Sequence, residues 1–291
     1  VDCLARSGIE ARDLDMLVSC CIGKAHADLS CVYEPPMSVA IQRAISADSA
    51  LCFDVGNACA GMVTGLAIVN DFIRRGAIRR GLVVAGEFIS HVGRTATRHV
   101  TGYSSPQLPS LTLGDAGAAV LLERADNSGG GIRACELVSF AEHSDLCIAK
   151  PAEPDDEPGW AMHTDALKLH QVAIDAAAPT IARALEAAGV DADSVDCVIP
   201  HQTTEHAIRI GTRRVLRSLG APDWGGDIAY NLECGNTAST THFLALHRWL
   251  REGRIAAGSR VLLLSFASGV VVGAVLFDVD DELARLFARG N

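Results

Sequence analysis

Apolar positions along this chain fall into two recurring textures. Short unbroken runs, such as 51–55 (LCFDV), 118–123 (AAVLLE) and 195–200 (VDCVIP), have the length of strands buried on both faces. Amphipathic stretches with helical spacing lie between them: one ahead of Arg74, one ahead of Arg251, and a long one over roughly 165–188. A further strand is expected near 131–141. Alternation of the two textures predicts an α/β protein, a mostly parallel sheet covered by helices.

The pattern also repeats. GIEARDLDMLVSCC from Gly8 and GVDADSVDCVIPHQ from Gly189 share Gly, a β-branched residue, an acid, Ala, two spacers, an apolar residue and Asp, then a strand-like run. A second pair, from Cys59 and from Asn236, carries Arg-x-Gly-x-Ile-x-x-Gly at Arg74–Gly81 and Arg251–Gly258, an offset of 177. In that register Phe72 matches Trp249, Ile73 matches Leu250, and Cys59 falls on Asn236. A third, weaker pair, AAVLLE at 118–123 and GAVLFD at 273–278, has an offset of 155. The shorter offset puts extra residues between the last two strands of the first half, within 88–112, a stretch whose Gly102, Ser104, Ser105, Pro106 and Pro109 read as a long loop. Three collinear matches predict a duplicated unit, two halves related by a pseudo-twofold axis, over 1–125 and 126–291. The first half opens without the strand and most of the helix that precede Gly189, so a complete repeat would need on the order of 50 further residues ahead of Val1.

Composition narrows the function classes. Hydrophobic residues are 49%, charged residues 21% and aromatics 5%, so the core is built from Ala, Val, Leu and Ile. A formal net charge of -10 argues against nucleic acid as the main partner. No apolar run reaches the ~20 residues of a membrane span. The ten cysteines include no C-x-x-C pair and no zinc spacing, which fits reduced thiols in a cytoplasmic protein and no metal site.

Three residues have contexts that suit chemistry. Cys59 follows the 51–55 run and the turn Gly56-Asn57-Ala58, at the start of a helix; free N–H groups and the dipole there favour a thiolate and can hold an oxyanion. The alternative is a buried structural thiol. His201 follows the strand at 195–200, at the carboxyl edge where α/β sheets place site residues, or else is a packed histidine. Asn236 occupies the matching helix mouth of the second half, as a site amide or simply an N-cap.

NACAG around Cys59, GDAGAAVLL at 114–122, PHQ at 200–202, CGNTAS at 234–239 and the closing SFASGVVVGAVLF resemble ketoacyl-acyl-carrier-protein synthase III of the thiolase superfamily, in the family's order. The resemblance implies a duplicated thiolase-like fold, five-layered α-β-α-β-α. It implies that Cys59 carries an acyl group taken from an acyl-coenzyme A or acyl-carrier-protein thioester. The backbone N–H groups of Cys59 and Ser268 would form the oxyanion hole. His201 and Asn236 would donate hydrogen bonds to a malonyl-type thioester, whose enolate attacks the acyl-Cys59 as CO2 leaves. It implies no cofactor and a homodimer. The second reading is transfer of the acyl group to an alcohol or amine, and the third a non-enzymatic carrier-binding subunit.

The chain departs from the family in places. Phe266-Ala267-Ser268-Gly269 replaces a glycine-rich loop, and Thr203-Thr204-Glu205 follows PHQ. Arg209, Arg213 and Arg217 recur at i, i+4, i+8 and would form a basic stripe suited to an acidic carrier or a coenzyme phosphate, or a solvated face. His163 and His170, seven apart on or beside the long helix, supply in His170 a candidate extra base for an alcohol or amine acceptor.

Overall fold

The structure, a computed structural model, describes residues 2–26, 28–125, 130–153 and 159–288. The first half runs α1 (Asp2–Ser7), β1 (Met16–Ser19), α2 (Met37–Ile45), β2 (Leu51–Asp54), α3 (Gly61–Arg74), β3 (Arg80–Glu87), α4 (Ser90–Ala96) and β4 (Ala116–Glu123). The second runs β5 (Gly131–Ser139), β6 (Cys147–Pro151), β7 (Trp160–Thr164), α5 (Ala166–Ala188), β8 (Cys197–Pro200), α6 (Glu205–Ser218), β9 (Asp227–Ile228), α7 (Thr241–Arg251), β10 (Arg260–Ala267), β11 (Val271–Asp278) and α8 (Asp281–Ala288).

The two sheets have matching orders, β2-β1-β3-β4 and β5-β11-β10-β8-β9. In each the inner strands are parallel, and the antiparallel pairs β3–β4 and β10–β11 close the pattern. The strand corresponding to β5 has no counterpart among the described residues of the first half, so β4 pairs only with β3. α1, a short helix, stands where the second half has α5, and both end at a glycine in the left-handed region, Gly8 and Gly189.

Side chains alternate across each sheet and thereby define five layers. Met16, Val18 and Val83 of the first sheet, and Ile199, Val261 and Leu263 of the second, meet one central core with Met62, Leu66 and Val69 of α3 and Phe243 and Trp249 of α7. Their neighbours Leu17 and Leu82 face α1 and α2 on the outside. Val198, Leu262 and Leu264 face α5 and α6 on the other outside. α3 and α7 are therefore a layer buried between two sheets, and most of their residues are buried or half-buried. The outer helices carry their own start signals: Asp165 caps α5 through the Lys168 N–H, and Thr204 caps α6 through the Ala207 N–H.

Three expectations change. The 88–112 stretch is not a plain loop: it contains α4 and a 3-10 turn at Leu108–Thr112. His163 lies in β7, which pairs with β6 in a hairpin the apolar pattern did not announce. The 177 offset holds only around Gly76 and Gly253; the helices start 180 apart, at Gly61 and Thr241, and the strands at Arg80 and Arg260. α7 is shorter than α3 and the turn after it is longer, so a register taken from the shared Arg-x-Gly motif slips at the helix mouth. The elbow mate of Cys59 is Ser239, and Asn236 sits one turn earlier.

Candidate active site

Two elbows meet at the centre of the molecule. In the first half, β2 ends, the chain turns, and a 3-10 turn at Ala58–Ala60 leads into α3. In the second half, a 3-10 turn at Ala238–Thr240 leads into α7. Ala58 (φ 43°) and Ala238 (φ 53°) both take left-handed backbone, a conformation unusual for alanine that sharpens each turn. The two turns pack against one another, the first also against β10 and the second against β3. Cys59 packs with Ala267, Val271 and Leu137.

β10 ties the remaining parts together through consecutive residues. The Leu264 carbonyl accepts the His201 N–H at 2.9 Å, fixing the residue that follows β8. Ser265 Oγ donates to the Cys59 carbonyl at 3.4 Å. Just beyond, Ser268 lies in the tight turn between β10 and β11, whose Gly269–Val270 peptide is cis, and Val270 exchanges both backbone hydrogen bonds with Phe140.

Asn236 is held by its backbone on both sides: its N–H donates to Thr112 O at 2.8 Å and its carbonyl accepts from Gly114 N–H at 3.0 Å. Its Oδ1 accepts the Ala238 N–H at 3.0 Å. The amide oxygen therefore caps the elbow, as an asparagine in this place does well. The group it retains for a ligand is the Nδ2 donor.

The electrostatics differ from the expectation for a helix N-terminus. Cys59 is not a thiolate at rest: enclosure of its sulfur, with the Cys147 thiol and Glu87 carboxylate nearby, pushes its pKa up to about 12. His201 is likewise neutral, held down to about 3 mainly by burial and secondarily by the neighbouring His242 ring. Both groups are therefore uncharged at rest, and a thiol that attacks from its protonated state needs a base to receive its proton.

Four residues of this region gave little signal in the sequence. Ser239, fully buried, donates to Glu87 Oε1, and Glu87 also accepts the Ile22 N–H at 3.1 Å. This carboxyl clamps the second elbow to the end of β3, and burial raises its pKa. Cys147, at the start of β6, accepts from Thr164 Oγ1 at 3.4 Å. His242, in the first turn of α7, stacks at 5.7 Å from His201. Ser239 closes the CGNTAS motif without being singled out by it; Glu87, Cys147 and His242 fall in no motif with recognised spacing, and a helix buried on most sides hides a polar residue within it.

The weaker candidates lie elsewhere. Arg209, Arg213 and Arg217 are exposed on α6. His170 is exposed on α5, where it lies near Gly211 and Arg214 of α6. His163 pairs with Gln107 Nε2 at 3.3 Å.

Comparison with known proteins agrees with this architecture. Residues 53–140 match the family model for 3-oxoacyl-[acyl-carrier-protein (ACP)] synthase III, and 185–279 match the model for its C-terminal part. Beta-ketoacyl-[acyl-carrier-protein] synthase III from Roseobacter denitrificans is 28% identical over 277 residues, covering 94% of this chain and 79% of the relative. The enzyme of the same name from Pasteurella multocida is 25% identical, covering 94% and 80%. Among solved structures, 3-oxoacyl-[acyl-carrier-protein] synthase III from Aquifex aeolicus superposes with a TM-score of 0.75 at 22% identity, over 94% of this chain and 80% of that one. A cysteine-to-serine variant of Xanthomonas campestris OleA with bound lauric acid and lauroyl-CoA gives 0.77 at 23% identity, over 94% and 79%. The two models together match well over half of the chain on either side of its repeat, and the chain belongs to the ketoacyl-acyl-carrier-protein synthase III family of the thiolase superfamily.

Proposed function

We propose that the protein is a condensing acyltransferase in which Cys59, His201 and Asn236 form one catalytic set. The observation that carries this is the meeting of the two elbows, with a thiol on one and, beside the other, an amide whose Nδ2 is left free to donate. Cys59 attacks an acyl thioester while His201 takes and keeps its proton, the departing thiolate draws one from solvent, and His201 gives its proton back to the Cys59 sulfur when condensation releases it. The backbone N–H groups of Cys59 and Ser268 hold the oxyanion. A malonyl-type thioester then enters, Asn236 Nδ2 and His201 donate to its carbonyl oxygen, CO2 leaves, and the enolate attacks acyl-Cys59 to give a 3-ketoacyl product. Donors aimed at that oxygen are the catalytic device, because the charge appears there only as the carboxylate is lost.

The substrates ride on coenzyme A or on an acyl carrier protein. Support comes from Arg209, Arg213 and Arg217, an exposed basic stripe on the helix that follows His201, in a chain whose net charge is -10. We also propose a division of the chain at 125/126, a cytoplasmic location and a homodimer. For the dimer the support is the open edge of β2, with Leu51 57% exposed, beside a loop carrying Tyr33, 73% exposed. No helix among the described residues is long and apolar enough to cross a membrane. The ester- or amide-forming alternative would call on His170, which lies on α5 near Gly211 and Arg214 of α6.

Intact-mass spectrometry with a panel of acyl thioesters tests the reading. One acyl adduct is expected, absent in Cys59→Ala, and discharged by malonyl thioester only when Asn236 is present. An adduct that malonyl never discharges would direct attention to alcohol or amine acceptors instead. The absence of any adduct would favour a non-catalytic carrier-binding role.

A further inference from the structure

A histidine that serves as a base usually has its second nitrogen held by a carboxylate or carbonyl, which sets the tautomer. His201 lacks such a partner: its Nδ1 is buried and takes no hydrogen bond from or to the protein. The ring beside it is another imidazole. His242 is fully buried, with its ring centroid 5.7 Å from that of His201 and the planes tilted by 44°.

The state of His242 is fixed by its own contact. Its Nε2 lies 3.0 Å from the Leu264 carbonyl. A carbonyl only accepts, so Nε2 bears the hydrogen and, in the neutral ring, Nδ1 is a bare lone pair. That Nδ1 is also buried without a partner. The same Leu264 carbonyl accepts the His201 backbone N–H, so both histidines are anchored to one oxygen. Burial holds both rings neutral.

Two bare lone pairs side by side in a dry site repel, and an N–H facing a lone pair attracts. We propose that His242 is the positioning partner of His201: its bare Nδ1 stabilises the tautomer of His201 that carries hydrogen on Nδ1, leaving the His201 Nε2 open to receive the Cys59 proton. The two rings are not hydrogen-bonded in the resting geometry, and a swing of the His201 ring closes the pair when that proton arrives. The imidazolium then formed shares its Nδ1–H with His242 and offers its Nε2–H to the substrate. His242 thus takes the place that an aspartate holds in a hydrolase triad, without adding a charge. This rests on the reading of His201 as a member of the catalytic set.

The test joins nitrogen-15 NMR of the histidine rings with single-turnover acylation. Ring signals of His201 and His242 are assigned by their loss in His201→Ala and His242→Met. Wild-type His201 is expected to show a protonated Nδ1 and a bare Nε2 at neutral pH. His242→Met, which removes both the donor to Leu264 and the lone pair, is expected to acylate Cys59 roughly 10- to 100-fold more slowly, the range seen for lost outer-shell partners. His242→Gln, which offers an N–H and an oxygen, is expected to recover most of that loss. A wild-type His201 protonated on Nε2 overturns the proposal, as does a folded His242→Met acylating at the wild-type rate. If His242→Met does not fold, the wild-type tautomer decides. If His201→Ala leaves acylation and condensation intact, the underlying reading of the site fails instead.

Discussion

A thiol at the mouth of a helix experiences two opposed effects, and here their balance can be read from the surroundings. The dipole and free N–H groups of α3 favour the anion by about 1 kcal/mol in ordinary settings. Enclosure of the sulfur, with a carboxylate and a second thiol near it, outweighs that and leaves Cys59 protonated, near 12. The consequence is measurable. Alkylation of Cys59 by iodoacetamide, followed by peptide mapping, is expected to rise about tenfold per pH unit from pH 7 to 10 with no plateau, because the thiolate fraction is still climbing. A plateau below pH 8 would mean an activated thiolate at rest. Strand–turn–helix context singles out Cys59 among ten cysteines, and a strand-end position singles out His201 among ten histidines, as candidates. It could not supply the protonation state, which depends on Cys147 and Glu87, residues brought in from distant parts of the chain. His242 was invisible for a related reason: nothing in TTHFLALH separates a polar residue buried against a site from one on a solvated face.

At the scale of elements, the site depends on how closely α3 lies against its sheet. A Cβ on Gly61 would come within 2.8 Å of the Cys20 carbonyl oxygen, which belongs to the backbone at the end of β1 and cannot swing away. Gly61→Ala therefore has to move the start of α3, and Cys59 with it. We expect a loss of about 1–3 kcal/mol in stability, the usual cost of overpacking, together with a fall in acylation rate. Gly225→Ala, whose Cβ would meet nothing within 4 Å, serves as the control and is expected to stay within about 0.5 kcal/mol. Denaturant titration and single-turnover acylation of the two variants check both statements. Equal behaviour of the pair would show that the elbow tolerates displacement. The repeat was readable at this scale because buried strands and helix-ending glycines recur with little change: the strands after Gly8 and Gly189, β1 and β8, align at the expected 181. The displacement of Asn236 from the elbow belongs to this scale as well. A motif at the end of a helix fixes the register of that end only, and a length difference of less than a turn moved the other.

For the whole molecule, burying two neutral imidazoles at the junction of the halves makes stability depend on acid. Both His201 and His242 have pKa values depressed below the unfolded value, to about 3 and about 4. Below the ordinary histidine value of about 6.5 the unfolded chain binds protons that the native state refuses, so their contribution is fully present above that pH and is lost as pH falls toward the folded values. His91 and His247 shift in the same direction. Glu87 works the other way: its pKa is raised by burial, so between the ordinary carboxylate value and its own the native state holds a proton that the unfolded chain has released. The lowered carboxylates Asp54, Asp115 and Asp278 act only in stronger acid, below about 4. Between pH 6 and 5 the histidines therefore dominate, each adding a slope of up to about 1.4 kcal/mol per pH unit. Urea unfolding at pH 7, 6 and 5 is expected to show wild-type stability falling with acid. His242→Gln should fall less steeply by close to one proton, and Glu87→Gln more steeply. The sign separates the two kinds of buried group, because removing a refused proton flattens the curve while removing a retained one steepens it. A His242→Gln curve parallel to that of the wild type would mean that the second imidazole is hydrated rather than enclosed.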